Sequence, residues 1–364
     1  MKKILILFIT AVMFACNNDP GFTIKINVEE LAGTQLSLMQ NASGEIVTID
    51  SVLLDESGTG MLSGVIETPE MMYLGKRDDR SPIQIYMDNN NYTVSGTLED
   101  LKIEADGGAQ VVYNSYLDGT KAFQTKQQGI IDEFYTARAE EADEETINAI
   151  MERYYAVNNE KIAYDSTFMA ENPASPVSLF LLRSVYHRMD ADDLEAALSA
   201  FDESLHSSSY FTHMTEHLER MKSVAVGQKY TDLELPDPDG DMMKLSDVAE
   251  KGVLLIDFWA AWCGPCRNAN PGIVEIYKQF SDKGFDIIGV SLDRSKDKWL
   301  QAIEDDELTW HHMSDLKFWQ SEAARKYAVA SIPHTVLLDS EGTIIAKNLS
   351  KEELREKLTE LLGS

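Results

Sequence analysis

Cysteine is scarce in this chain, with three residues in 364, at positions 16, 263 and 266. That number excludes the multi-disulfide framework of small secreted domains, so each cysteine needs its own explanation. Positive charge is scarce as well: 32 lysines and arginines face 61 acidic residues, for a formal net charge of −29. A surface of that sign repels a phosphate backbone instead of displacing its counterions, which argues against nucleic acid as a partner. Long apolar runs are missing after Cys16, so nothing beyond it predicts a membrane-spanning helix. What the chain does have is 44% hydrophobic residues over a length that suits two or three packed domains.

The N-terminus reads Met1-Lys2-Lys3, an apolar run from Ile4 to Ala15, and then Cys16. The run is too short to span a bilayer but has the charged start and apolar centre of a secretory signal. Ala15 before Cys16 resembles the lipobox of bacterial lipoproteins, although Phe14 stands where a small residue is more usual. The resemblance implies a signal peptide over 1–15, a lipidated Cys16 with a tether over 16–21, and membrane attachment through the lipid. An uncleaved anchor, or a plain secretory signal with an incidental cysteine, are the alternatives.

Over 22–112 short alternating runs such as Phe22-Thr23-Ile24-Lys25-Ile26 are split by turn signals, which predicts an all-β, sandwich-like domain. Over 113–222 the composition shifts to Ala, Glu, Leu and Tyr with helical periodicity, broken at Asn172-Pro173 and Ser175-Pro176, which predicts a helical segment. The acidic cluster Glu140, Glu141, Asp143, Glu144 and Glu145 is explained by a solvated helix face more simply than by a metal site. Met61, Met71, Met72 and Met87 fit core packing better than copper binding. Over 227–364 strands and helices alternate: strands at 253–259, 285–292, 335–339 and 342–347, helices at 268–280, 296–305, 319–327 and 351–362. That alternation predicts an α/β sheet covered on both faces.

Chemistry concentrates at Trp262-Cys263-Gly264-Pro265-Cys266, where a buried strand hands over to a helix. Two thiols separated by two residues can close a disulfide, and the first sits at a helix N-terminus, where the backbone dipole favours thiolate. Cys263 is therefore the expected nucleophile and Cys266 the residue that resolves the mixed disulfide. A c-type haem site needs His where Arg267 stands, and a structural zinc site lacks two ligands. No metal is expected, and no cofactor beyond the redox-active Cys263–Cys266 pair. His311, His312 and His334 are expected on loops and the surface.

The stretch Asp257-Phe258-Trp259-Ala260-Ala261-Trp262-Cys263-Gly264-Pro265-Cys266, with Pro271 and Ser331-Ile332-Pro333 further on, resembles the thioredoxin superfamily and within it the TlpA/ResA-like oxidoreductases. The resemblance spans roughly 227–362. It implies a thioredoxin fold, a buried Asp257 that accepts the proton of Cys266, and a cis Pro333 that leaves the backbone of Ile332 to pair with a substrate strand. Trp262, Gly264 and Pro265 complete the motif. Peroxiredoxins place Thr or Ser and Pro where this chain has Ala260 and Ile256, which disfavours peroxidase activity. Proteins dedicated to cytochrome c maturation carry a glutamate where Ala269 stands, so that particular task does not follow from the resemblance. The N-terminal part loosely resembles an uncharacterised β-domain found ahead of thioredoxin domains in lipoproteins. Together these readings imply a periplasm-facing, lipid-anchored thiol-disulfide oxidoreductase that acts on exported proteins and is recharged by a membrane electron donor. The alternative is an envelope-scaffold lipoprotein with an accessory thioredoxin domain.

Overall fold

The computed structural model describes residues 21–42, 45–76, 79, 81–249 and 251–363. Cys16, and with it the signal and anchor expectations for 1–20, lies outside them. Among the described residues no helix is long and apolar enough to cross a membrane. They fall into two compact units: one runs to Leu182 and takes in Phe201–Ser208, the other holds Arg183–Ala200 and the chain from Ser209 onward.

The first unit begins with eight strands: β1 (Phe22–Asn27), β2 (Gln35–Ala42), β3 (Glu45–Leu53), β4 (Thr59–Gly64), β5 (Glu70–Gly75), β6 (Ile83–Met87), β7 (Asn91–Gly96) and β8 (Leu101–Ala105). They form two four-stranded sheets ordered β4-β1-β7-β8 and β3-β2-β5-β6. In β1 and β7 alternate residues are buried, as in sheets with one dry face. Ile24, Leu38, Leu74, Ile85 and Val94 from both sheets meet in one solvent-free core. Met72 and Met87 sit in that core and Met71 in a neighbouring cluster. Met61 corrects the expectation for the four methionines, because it stands 60% exposed on the edge strand β4.

Three helices follow, α1 (Ala109–Ala139), α2 (Glu144–Glu171) and α3 (Pro176–Val185). Helix α1 starts ahead of Tyr113 because Asp88, in the turn after β6, accepts the Ala109 amide at 2.8 Å and supplies the cap that no local side chain provides. A Cβ at Gly108 would fall 2.1 Å from that carboxylate, and Gly108 has φ +74°, so glycine lets the cap come close. Gln110 is fully buried against the edge strand β6. Its Oε1 accepts the Tyr86 amide at 2.6 Å, and its Nε2 donates to Asn114 at 2.8 Å. The ring of Tyr86 packs on Tyr113 and Phe180, and its hydroxyl donates to the Pro176 carbonyl at 2.7 Å. The helices thus close an edge that would otherwise offer unpaired backbone groups. The acidic cluster is exposed as expected, but it lies at the α1–α2 junction, where Asp143 caps α2 by accepting the Thr146 amide.

In the second unit α4 (Ala191–Ser199) and α5 (Ser209–Ser223) precede a hairpin of β9 (Glu234–Pro236) and β10 (Met242–Lys244). The Asp237 carboxylate closes the turn by accepting the amides of Asp239, Gly240 and Asp241. After the short α6 (Ser246–Ala249) come β11 (Val253–Trp259), α7 (Gly264–Phe280), β12 (Phe285–Ser291), α8 (Lys296–Asp305), β13 (His311–Met313), α9 (Glu322–Lys326), β14 (His334–Leu338), β15 (Ile344–Lys347) and α10 (Lys351–Leu362). The five strands from β11 onward order as β13-β12-β11-β14-β15, with β11, β12 and β13 parallel and β14 antiparallel to β11. All seven residues of β11 are buried, as befits a central strand covered on both faces. This is the thioredoxin fold.

Several details differ from the sequence-based expectation; His334, expected on a loop or the surface, lies half-buried on β14. Helix α7 begins at Gly264, ahead of Asn268, because Cys263 caps it and Pro265 fits its first turn. Ser321, in an extended conformation, splits the expected 319–327 helix into a 3-10 turn at 318–320 and the short α9. His312 belongs to β13 and is buried between Trp259 and Trp310, so the surface placement is corrected for it. Burial lowers its pKa to about 4 and keeps the ring neutral.

Candidate active site

Strand β11 ends at Trp259, and within five residues the chain has turned into α7. The Cys263 amide donates to the Ala260 carbonyl at 3.0 Å and tightens this turn. Cys263 then occupies the N-cap position of α7 and is disulfide-bonded to Cys266, with Cα atoms 5.3 Å apart. The Cys266 amide donates to Cys263 Sγ at 3.2 Å. Unsatisfied amides and the positive end of the helix dipole therefore converge on the first sulfur. Cys266 is the more deeply buried of the two, at 1% exposure against 4% for Cys263.

Beneath the pair lies a 400 Å³ cavity lined by Asp257, Cys266, Ala269, Pro333, Thr335 and residues at the start of α10. Asp257 reaches it from the middle of β11, between Gly289 on β12 and Thr335 on β14. Among the described residues its carboxyl has no ion-pair partner, and burial alone pushes its pKa up to about 7. The group can therefore take up and release a proton near neutral pH. The Ile332–Pro333 peptide on the far wall is cis.

The turn is tied to its surroundings by groups that sequence patterns did not single out. The buried Asp293 carboxylate accepts the Ala261 amide at 2.9 Å and the Ser291 hydroxyl at 2.8 Å. Trp262 Nε1 donates to the Leu292 carbonyl, and the Leu292 amide donates to the Trp259 carbonyl. On α7, Arg267 forks onto Asp306, which also accepts from the buried Asn270 at 2.6 Å. Burial opposes ionisation of Asp306, yet the Arg267 and Asn270 bonds hold its carboxyl below the usual value. Pro271 removes one amide from the α7 ladder, so these side-chain ties matter for holding its first turn.

Trp262 stands 48% exposed beside Cys263 and packs on Phe318 and Trp319, the latter 40% exposed. Leu316 and Phe318 both have positive φ, an unusual conformation for large side chains. The Ser314 hydroxyl oxygen, which accepts the Leu316 amide, and the Asp315 carboxylate, which accepts those of Lys317 and Glu322, hold that loop. Gly264 and Pro265 are exposed on the first turn of α7, while Ile332 packs partly against the core. The structure thus brings Asp257, Cys266 and Pro333 onto one cavity, with Cys263 joined to Cys266. Phe318, Trp319 and Arg294 were missed because only the folded loops bring them to Trp262.

Fold and site together define a thioredoxin-fold thiol-disulfide oxidoreductase. Residues 226–347 match the AhpC/TSA family, and residues 22–123 match a domain of unknown function (DUF4369). The thiol-disulfide oxidoreductase ResA of Geobacillus thermodenitrificans is 30% identical over 154 residues, 42% of this chain and 82% of that protein. ResA of Geobacillus kaustophilus is 31% identical over 151 residues, 41% of this chain and 84% of that protein. Among solved structures, a thiol-disulfide oxidoreductase from Bacteroides fragilis is 34% identical, covers 37% of this chain and all of its own (100%), and has a TM-score of 0.36. The chain belongs to the ResA-like thiol-disulfide oxidoreductases, here joined to an N-terminal β-domain.

Proposed function

We propose that this protein is a lipid-anchored oxidoreductase facing the periplasm that reduces or reshuffles disulfides of exported proteins through Cys263 and Cys266. The Cys263 thiolate attacks one sulfur of a substrate disulfide, forms a mixed disulfide and expels the other sulfur as a thiolate. Cys266 passes its proton to Asp257 and attacks Cys263 Sγ, closing the internal disulfide and expelling the second substrate thiolate. The substrate gains two electrons and the cysteine pair loses two. A membrane-embedded electron donor returns them, and no cofactor beyond the disulfide takes part. The observation that carries the reading is the disulfide at the N-terminus of α7 above a buried Asp257 on the same cavity, which among the described residues has no ion-pair partner.

Trp262 and the Ile332 backbone beside cis Pro333 flank the bound substrate strand. The lipid on Cys16 holds the chain at a membrane surface, and the N-terminal domain positions or selects substrate. Gly264-Pro265 between the cysteines is the pair found in reducing thioredoxins, so the couple sits nearer about −270 mV than the −120 mV or so of a strong oxidant.

The test is a trap. With Cys266→Ser in the host cell, exported proteins accumulate on Cys263 as mixed disulfides that dithiothreitol releases. An empty trap, together with no reduction of insulin by the wild-type protein, overturns the reading.

A further inference from the structure

Next to the disulfide lies a second hollow, of 530 Å³, lined by Trp262, Phe318, Arg294, Lys298, Arg267 and two aspartates. Its acidic groups are already engaged. Asp305 faces Arg267, and Asp293 is buried and accepts from Ala261 and Ser291. Arg294 and Lys298 are exposed, and among the described residues neither has a carboxylate within ion-pair distance. Two unpaired cations at the mouth of the reactive site are notable in a chain whose net charge is −29.

The Arg294 guanidinium lies 4.2 Å from the centre of the Phe318 ring, which orients its plane and leaves an N–H edge free to fork onto a carboxylate. Trp262 and Trp319 present apolar area to solvent on the same rim. The loop that carries Arg294 is fastened to the cysteine turn by the bonds from Ala261, Trp262 and Leu292, and α8, which carries Lys298, follows two residues after Arg294.

We propose that Arg294 and Lys298, with Trp262, Phe318 and Trp319, form a specificity site that takes an acidic side chain of the protein substrate next to its reacting cysteine. The aromatic rim covers the methylene stem of a glutamate while the cations take its carboxylate. The proposal rests on disulfide exchange at Cys263 and adds a substrate class to it. It also runs against the field of the whole molecule, which on charge alone favours basic substrates.

Three short disulfide-cyclised peptides, identical except for Glu, Gln or Lys beside the first cysteine, test it with the full-length reduced protein. Rates are divided by those with dithiothreitol to remove differences in intrinsic reactivity. Second-order rates fall in the order Glu, Gln, Lys, with Glu over Lys by about fivefold at low salt and less at high salt. The double variant Arg294→Glu, Lys298→Glu reverses that order. Equal rates for the three peptides, or a lead for Lys in the wild type, overturn the specificity site and leave disulfide exchange standing. Failure to reduce any of them overturns both.

Discussion

The amide of Cys266 points at the sulfur of Cys263 from 3.2 Å, one helical turn further along the chain. When the disulfide opens, that amide and the α7 dipole favour the Cys263 thiolate, so its pKa falls below that of a free thiol. Alkylation by iodoacetamide as a function of pH reads the value. A Cys263 that titrates like free cysteine contradicts the arrangement.

Asp257 sets a pH dependence whose sign follows from its environment. Its folded pKa of about 7 lies above the ordinary 3.8, so the folded state holds the proton more tightly than the unfolded chain. The group's contribution is most favourable below pH 4 and is lost as pH rises to 7, a cost on the order of a few kcal/mol above that. Asp257→Asn removes the cost. Urea midpoints of the oxidised protein should rise at pH 8 relative to wild type, with the gain shrinking toward pH 4. The same variant should slow substrate release from the mixed disulfide by about a hundredfold at pH 7.5. Parallel stability curves for the two proteins would show that the carboxyl is not desolvated.

Removing Asp306 strands two groups at once. In Asp306→Ala the buried Asn270 amide loses its acceptor and Arg267 keeps only its bond to the Ala261 carbonyl, at 3.4 Å, and the longer contact to Asp305, at 3.8 Å. The expected loss is about 2 kcal/mol, read as a lower midpoint with an unchanged denaturant slope.

Gly289 on β12 packs beneath two large rings. A Cβ there would come within 2.5 Å of His312 Nδ1 and 3.0 Å of Trp259 Nε1, both buried. Gly289→Ala should cost about 1–3 kcal/mol through displaced rings, and near-ultraviolet circular dichroism from the tryptophans should change with it. A fully tolerated alanine, with that spectrum unaltered, counts against this packing.

The thioredoxin-fold half was legible in the chain because its signals are local. A seven-residue strand, apolar but for Asp257, ends three residues short of Cys263-Gly264-Pro265-Cys266, and the proline motif follows at Ser331-Ile332-Pro333. Burial of Asp257 follows from the same run, since a lone acid inside a fully covered strand has no route to water. The rim was not legible: Arg294 lies on a loop, and the positive φ of Leu316 and Phe318 with a single 3-10 turn, not the longer helix expected from Trp319, aim the rings. Strand β13 was missed for a related reason, being only three residues long and paired along one side. In the first unit the strands were foreseen, but the partnership between Gln110 and Tyr86 depends on a helix lying across a sheet edge, which no spacing encodes.

That partnership decides what can be cut away. A chain trimmed just after Ala105 would lose the glutamine that answers the Tyr86 amide and the aromatic residues that shelter its ring, leaving a raw border where β6 ends the sheet. The portable piece, whether for recombination between genes or for expression by itself, is therefore sandwich plus helices and not the sandwich alone.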